Sequence, residues 1–228
     1  MCARYPDHVW HIDLTIVANG SGLWLPWPPS SQLQIWPFCW WVAVVVDQFT
    51  RRVVDLAVFR TQPDSLDIRL SLLKAFKRVG AIPRHLISDQ GSQFRCPGFR
   101  RWCKQYGIRN RFGAVGRYGS IAIVERFIRT LKDEWTHRTM ALAKTSMADH
   151  LWRYAIWYNR HRPHQGLKGK TPQEMADPKA PVIIRLEPRP NYPLSGEGIV
   201  RLTRPIRLNI ASFRGEPRLP ILKLKLAA

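Results

Sequence analysis

Two carboxylates, Asp89 in "ISDQGSQF" and Glu125 in "GSIAIVERFIRTLKDEW", are separated by 35 residues (125 − 89 − 1) without another Asp or Glu. The same interval carries Arg95, Arg100, Arg101, Lys104, Arg109, Arg111 and Arg117. A third acid, Asp13, follows the apolar "VWHI" upstream. Carboxylates among so many cations have two uses. They pair with the arginines, as an ordinary surface acid does, or they hold a hard divalent cation that prefers carboxylate oxygens. A few acids, a divalent ion and substrate phosphates form the usual arrangement for phosphoryl transfer. Two such ions about 3.5–4 Å apart clamp the attacking and leaving oxygens of an in-line displacement.

The stretch after Glu125 separates these uses. Glu125, Arg129 and Lys132 fall at i, i+4 and i+7, on one face of a helix. A surface ladder of ion pairs has the same spacing and contributes only a few tenths of a kcal/mol per pair. Such a ladder explains neither the glycine-rich approach "VGRYGS" nor the acid-free spacer. A metal-binding acid followed by two turns of phosphate-binding cations explains all three.

Elements must bring these residues together. "VWHIDLT" reads as a strand with Asp13 near its end, and "CWWVAVVVD" and "RRVVDLAVF" as a hairpin beside it. A helix is expected from about residue 63 to 79, with Leu66, Leu70, Leu73 and Phe76 on its core face and Thr61 with Asp64 as a capping box. "PRHLISD" is a fourth strand ending at Asp89. "GFRRWCKQYG" is a short helix closed by Gly107, and "IRNRFGA" is a fifth strand. Ser120 opens a helix with Val124, Ile128, Leu131 and Trp135 inward. A further helix from about residue 146 to 160 turns Leu151, Tyr154, Ala155 and Tyr158 inward, and "TPQE" caps a last short one. The order predicts an α/β fold, a mixed five-stranded sheet covered by helices, in residues 1–178. Residues 179–228 read as a small basic, Pro-rich, β-rich appendage with ten Lys/Arg against three Glu. Residues 18–37, rich in Gly, Ser, Pro and Trp, form an insert without long regular structure.

A net charge of +20 and a pI near 10.8 point to a polyanionic partner, which means nucleic acid before anything else. Cys2, Cys39, Cys96 and Cys103 form no C-x-x-C pair, and His8 with His11 lacks further ligands, so a zinc site is not expected and the thiols read as reduced. The longest apolar run, "WPFCWWVAVVV", is too short to span a bilayer. No secretory leader pattern opens the chain, and a cytoplasmic, nucleoid-associated location is expected.

Taken together, these motifs resemble the catalytic core of retroviral-type integrases and the related bacterial insertion-sequence transposases of the DDE superfamily. "WHIDLT", "ISDQGSQF" and the "VERFIRTLKDEW" helix match its three acidic motifs, and "WYNRHRPHQGLKGKTPQEM" its tail, over roughly residues 9–176. The resemblance implies a ribonuclease H-like fold, with Asp13, Asp89 and Glu125 as the catalytic and metal-binding residues. It also implies two Mg²⁺ or Mn²⁺ ions, and DNA contacts by Lys132, Arg129 and Arg117. Nicking of element ends and strand transfer into target DNA, by a homo-oligomer assembled on DNA, would follow. The insert after Asp13 is longer than in retroviral relatives, and Ile121 stands where many transposases have Asn. Recognition of the ends is expected from a separate helix-turn-helix protein or from the rest of a longer transposase. A ribonuclease H-like nuclease without strand transfer, and a non-catalytic DNA-binding remnant, are the alternatives.

Other candidates read as structural. Asp47 ends a strand beside Arg51 and Arg52, which offer it partners. Asp133 and Glu134 fit a solvated helix surface. Trp40, Trp41 and Trp135 sit in apolar patterns, whereas Trp24 and Trp27 in the insert suit contact with DNA or a second protomer. His161 and His164 suit a structural or phosphate-contacting loop.

Overall fold

The computed structural model describes residues 2–18, 39–113, 122–135, 144–177 and 206–226. Trp24 and Trp27 of the insert, Arg117, Ser120 and Ile121 of the glycine-rich approach, and the expected boundary at residue 178 lie outside them. The chain divides into two compact units, Met1–Ala155 and Ile156–Ala228.

The first unit is built on a five-stranded sheet. Its strands are β1 (Val9–Ala18), β2 (Cys39–Asp47), β3 (Val53–Phe59), β4 (His85–Ser88) and β5 (Arg109–Phe112), in the order β3-β2-β1-β4-β5. β1, β2 and β3 pair antiparallel, while β4 and β5 run parallel to β1, which gives the mixed sheet expected. The helices are α1 (Ser65–Val79), α2 (Ser92–Arg95), α3 (Pro97–Gln105), α4 (Ala122–Glu134) and α5 (Lys144–Arg160), the last crossing the division between the units.

Alternation along β1 sorts its side chains onto two faces. Trp10 and Ile12 join Ala43 and Val45 of β2, Leu72 and Phe76 of α1, Phe94 of α2, and Phe99 and Trp102 of α3 in one apolar core. The other face carries His11, Asp13 and Thr15. β2 is buried on both faces, as its unbroken Val run requires. Trp40 and Trp135 are buried, as their apolar patterns suggest, and Trp41 is half-buried.

Two expectations for α1 need correction. Its core face is Ile68, Leu72, Ala75 and Phe76, with Ser71, whereas Leu66 and Leu70 are 53% and 49% exposed. Both rows have helical spacing. The row that wins combines a small Ala75 with Phe76 and fits under Trp10 and Trp102. It also turns Ser71 toward Asp55, to which the hydroxyl donates. The capping box is Asp64 with Asp67, one turn beyond the expected pair, and Gly80 closes the helix at φ 73°. Helix α3 ends as anticipated. Gly107 sits at φ 70°, with its N–H on the Lys104 carbonyl and the Ile108 N–H on that of Cys103, a Schellman closure.

The second unit holds the end of α5, a 3₁₀ turn Gln165–Leu167, α6 (Pro172–Ala176) and the hairpin β6 (Ile206–Phe213) with β7 (Glu216–Leu226). Thr171 and Glu174 form the capping box read from "TPQE". Arg214 and Gly215 turn the hairpin, both at positive φ, as a tight two-residue turn demands. The Trp157 indole N–H donates to the Pro220 carbonyl at 3.0 Å. His164 packs edge-on against Tyr158, and His161 lies tilted against Phe213.

Asp47 closes the β2–β3 turn. It is fully buried and accepts from the Asp7 N–H (3.2 Å), the Thr50 N–H (2.9 Å) and the Thr50 hydroxyl (2.6 Å). Arg52 reaches instead to Asp7, at 2.9 Å. Hydrogen bonds to a charged acceptor contribute about 1.5–3 kcal/mol each, less when water replaces them. Asp47→Ala is therefore expected to lower unfolding stability in urea by about 2–4 kcal/mol. Asp47→Asn, which keeps the acceptor toward Thr50, should lose less than half of that.

Candidate active site

Asp13 does not end its strand, as the sequence suggested. β1 runs five residues further, to Ala18, paired throughout with β2. What ends near Asp13 is the pairing with β4, whose last partners are His11 and Ile87. The register offset is 76 (87 − 11), and continuing it two residues sets Asp13 level with Asp89. Thus the parallel register, rather than a strand terminus, aligns the first two acids at the carboxyl end of β4, the place where open α/β sheets carry out chemistry.

Asp89 is held by its own loop. Its Oδ1 accepts from the Gly91 N–H at 3.1 Å, and the Ser88 hydroxyl donates to its carbonyl at 3.0 Å. The buried Gln93 side chain folds back over Gly91, so a larger residue there would require the Gln93 amide to move. A Cβ there would stand 2.3 Å from Gln93 Nε2. The Gly113 N–H then ties the end of β5 to the Ser88 carbonyl at 2.8 Å.

The third acid comes from α4. Val124, Phe127 and Leu131 bury one side of this helix, and Trp135 follows just beyond it. Ile128, expected inward, is only partly buried, because it borders a cleft instead. That cleft, about 350 Å³, is lined by Asp13, Leu14 and Thr15 of β1 and by Glu125, Ile128, Arg129, Lys132 and Asp133 of α4. The i, i+4, i+7 row therefore does face Asp13. Thr15 and Asp133 were not read as cleft residues. Strand alternation marks Thr15, two residues past Asp13, whereas nothing local distinguishes Asp133 from a solvated acid. Glu134 accepts from the Tyr154 hydroxyl at 2.8 Å and serves the packing of α4 on α5.

Charge couples the acids. Burial raises the Asp13 carboxyl from an ordinary 3.8 to about 6. Its bond from the Leu14 N–H (2.8 Å) opposes this, the charges of Asp89 and Glu125 push it higher, and Lys132 pulls it down. His11, two residues before Asp13, is held near 4 by burial first and is neutral. Three carboxylates supply the hard oxygen donors that suit Mg²⁺ or Mn²⁺, and their mutual repulsion is the condition a cation relieves. Donor chemistry and charge therefore fit a divalent ion. Among the described residues, no three His, Cys, Asp or Glu side chains are gathered closely enough to hold one. Asp13 and Asp89 each spend Oδ1 on a backbone N–H of their own strand or loop.

A mixed five-stranded sheet in this order, with helices on both faces and acids at the end of its central parallel pair, defines a ribonuclease H-like fold. Solved structures agree in fold. The HTLV-2 integrase catalytic core, determined in complex with magnesium, matches with a TM-score of 0.54 at 20% identity, over 76% of this chain and 98% of that one. The BIV integrase catalytic core matches with a TM-score of 0.53 at 23% identity, over 75% and 93%. Two family profiles described as "Integrase core domain" cover residues 3–118 and 106–172. The chain belongs to the integrase core domain family. Relatives include the transposase for insertion sequence element IS904 of Lactococcus lactis, 25% identical over 174 residues, which are 75% of this chain and 62% of the relative. A 31.7 kDa protein of insertion element IS407 of Burkholderia multivorans is 27% identical over 175 residues, 75% and 56% of the two chains. This chain thus spans a little over half the length of these relatives.

The raised Asp13 carboxyl has a sign that can be measured. The native state binds this proton more tightly than the unfolded chain does. Stability therefore falls as pH rises from about 4 to about 6, and above 6 the full penalty, at most about 3 kcal/mol, is carried. Asp13→Asn removes it. The variant should melt several degrees higher than the parent at pH 7.5, and the gain should vanish near pH 4. An equal gain at both pH values, or none, would contradict the electrostatic account.

Proposed function

We propose that this chain is the strand-transfer core of a DNA transposase or integrase, with Asp13, Asp89 and Glu125 as its catalytic carboxylates. The observation that carries the reading is the half-buried Asp13 carboxyl, raised by burial and sensing both other acids, in a cleft walled by Lys132 and Arg129. Family membership and the +20 charge support it. The three carboxylates would hold Mg²⁺ or Mn²⁺, which when bound supplies positive charge against developing negative charge on the reacting oxygens.

The chain's own residues would do the rest. Lys132, seven residues and nearly two turns from Glu125, places an ammonium on the same face and binds a phosphate beside the acids. Arg129 adds a second contact from the same row. Ile128 supplies an apolar part of the cleft wall. In the first reaction water oxygen bonds to phosphorus as the 3′ oxygen leaves, takes a proton and becomes a free hydroxyl. In the second that hydroxyl attacks a target phosphodiester, releasing the target's own 3′ oxygen. One P–O bond forms for each broken, so no nucleotide cofactor is consumed. Catalysis rests on alignment and charge complementarity. The acting form is a homo-oligomer on DNA.

Incubating the purified chain with candidate terminal duplexes and Mg²⁺ or Mn²⁺, and scoring nicked and joined strands, tests this. Asp13→Asn, Asp89→Asn and Glu125→Gln should each abolish both products, and Asp47→Asn neither. Activity surviving one of the first three changes removes that residue from the site. Nicks without joined product would reduce the reading to a nuclease.

Lys132 gives a separate test. An exposed ladder lysine changed to Ala would alter stability by no more than about 0.5 kcal/mol and leave DNA binding alone. The proposal expects Lys132→Ala to keep its melting temperature, lose strand-transfer rate, and lower the salt slope of DNA binding by about one.

A further inference from the structure

The edge of the sheet at β5 carries a second concentration of cations that the catalytic cleft does not use. Among the described residues β5 pairs with β4 alone, and none of them continues the sheet on its outer side. Its alternation divides it. Asn110 and Phe112 turn toward α3, opposite Leu86 and Ser88, while Arg109 and Arg111 turn to the face that carries His11. On the α3 side, Arg100, Lys104, Asn110 and Phe112 border a depression of about 480 Å³. Arg100 and Lys104 stand one helical turn apart, and both are exposed, as are Arg109 and Arg111. The edge strand is thus flanked by cations on both faces.

These charges are not neutralised. None of the four pairs with a carboxylate among the described residues, and the sequence places no acid anywhere between Asp89 and Glu125. Their field is felt inside the sheet. His85, opposite Arg109, is held below its ordinary value by burial first, then by Arg111, with Arg109 among the further cations. The Asn110 amide supplies an independent sign. Both its Oδ1 and its Nδ2 are buried and have no hydrogen-bond partner. A buried amide left unsatisfied is unfavourable by about 1–3 kcal/mol, and a ligand oxygen would relieve its donor side.

Register sets the distance to the acids. Gly113 follows Phe112, which is level with Ser88, so the row through Asp13 and Asp89 meets the end of β5. Arg111 stands two residues below that row, about 7 Å along the strand, and two strands, about 10 Å, from β1. A duplex whose phosphate reaches the cleft would cross this edge.

We propose that the β5 edge, with Arg100 and Lys104 of α3 and Arg109 and Arg111 of β5, is a phosphate-backbone track for duplex DNA continuing past the catalytic cleft. The track reads no sequence, because it offers cations and one amide to a uniform backbone. It rests on the reading of this chain as a DNA-strand transferase. Element DNA behind the cleaved end and unbroken target DNA present the same phosphates, and both are occupants the chemistry allows.

The test compares pairs of substitutions of equal charge. Arg109→Gln with Arg111→Gln, and Arg100→Gln with Lys104→Gln, are set against Lys74→Gln with Lys77→Gln on α1. All six side chains are exposed, and melting temperatures should stay at the parent value. The probe is a linear duplex of arbitrary sequence, about 30 base pairs long, titrated at several salt concentrations. Each phosphate contact adds about 0.9 to the slope of log affinity against log salt. Each edge pair should lower that slope by about 1–2, and the α1 pair by less than half as much. Edge pairs that behave like the α1 pair overturn the track.

A closed circular duplex without ends assigns the occupant. Loss on the circle as well as the linear probe means unbroken DNA runs over the edge. Loss on the linear probe alone means the duplex behind an end does. Parent protein that binds neither probe would sink the functional reading itself, whereas parent binding with unaffected edge pairs sinks the track alone.

Discussion

Like charges must be held together against their own repulsion, and that constraint shapes the first unit. Asp13 is half-buried in a sheet, and burial first, with the charges of Asp89 and Glu125 adding to it, raises its carboxyl to about 6. Left to themselves the side chains would separate into water. They stay because their backbones are committed elsewhere. β1 is locked between β2 and β4 by its two ladders, Asp89 is fixed by the Gly91 turn, and α4 is anchored through Val124, Phe127 and Leu131. Stability stored in the apolar core is therefore applied to an arrangement that is unfavourable by itself. This is the usual relation between a functional site and the scaffold that carries it.

The distribution of cations follows the same logic at longer range. Many exposed carboxylates on this chain are engaged in caps or ion pairs: Asp64 and Asp67 begin α1, Glu174 begins α6, and Asp149 pairs with Arg153. The acid-free interval from Asp89 to Glu125 leaves the α3–β5 edge without a paired carboxylate among the described residues. Its arginines repel one another, a self-energy that a polyanion removes on binding. In the proposed reading, phosphate binding and the relief of carboxylate repulsion by a cation are complementary halves of one electrostatic design, the first spread over a surface and the second confined to a cleft.

Packing detail decides which apolar residues carry the scaffold. The core under the sheet is dominated by aromatic rings, with Phe76 stacked on Trp102, tilted against Trp10, and Phe94 edge-on to Phe99. Rings of this size bury about 150–250 Å² each and fix their neighbours' orientation. Such a core leaves little freedom for β1 or β4 to slip. A one-residue slip would carry Asp13 to the opposite face and destroy the alignment with Asp89.

The sequence by itself determined the element order and the mixed sheet, and marked the three acids as candidates, because spacing along the chain carries that information. A 35-residue acid-free interval, a period-3.6 row from Glu125 to Lys132 and the "TPQE" cap are all local patterns. It did not determine which of two leucine-bearing rows of α1 would face inward, since both satisfy the helical period and only the shape of the space beneath Trp10 and Trp102 chooses between them. Nor could it show that Asp13 lies mid-strand. That depends on how far β2 accompanies β1 beyond the end of β4, a property of three strands at once. The role of Asp47 and the open, cation-lined edge at β5 belong to the tertiary structure for the same reason. Hydrogen bonds from Thr50 and Asp7, and the absence of a sixth strand beside β5 among the described residues, are facts about neighbours in space, which no residue's own type encodes.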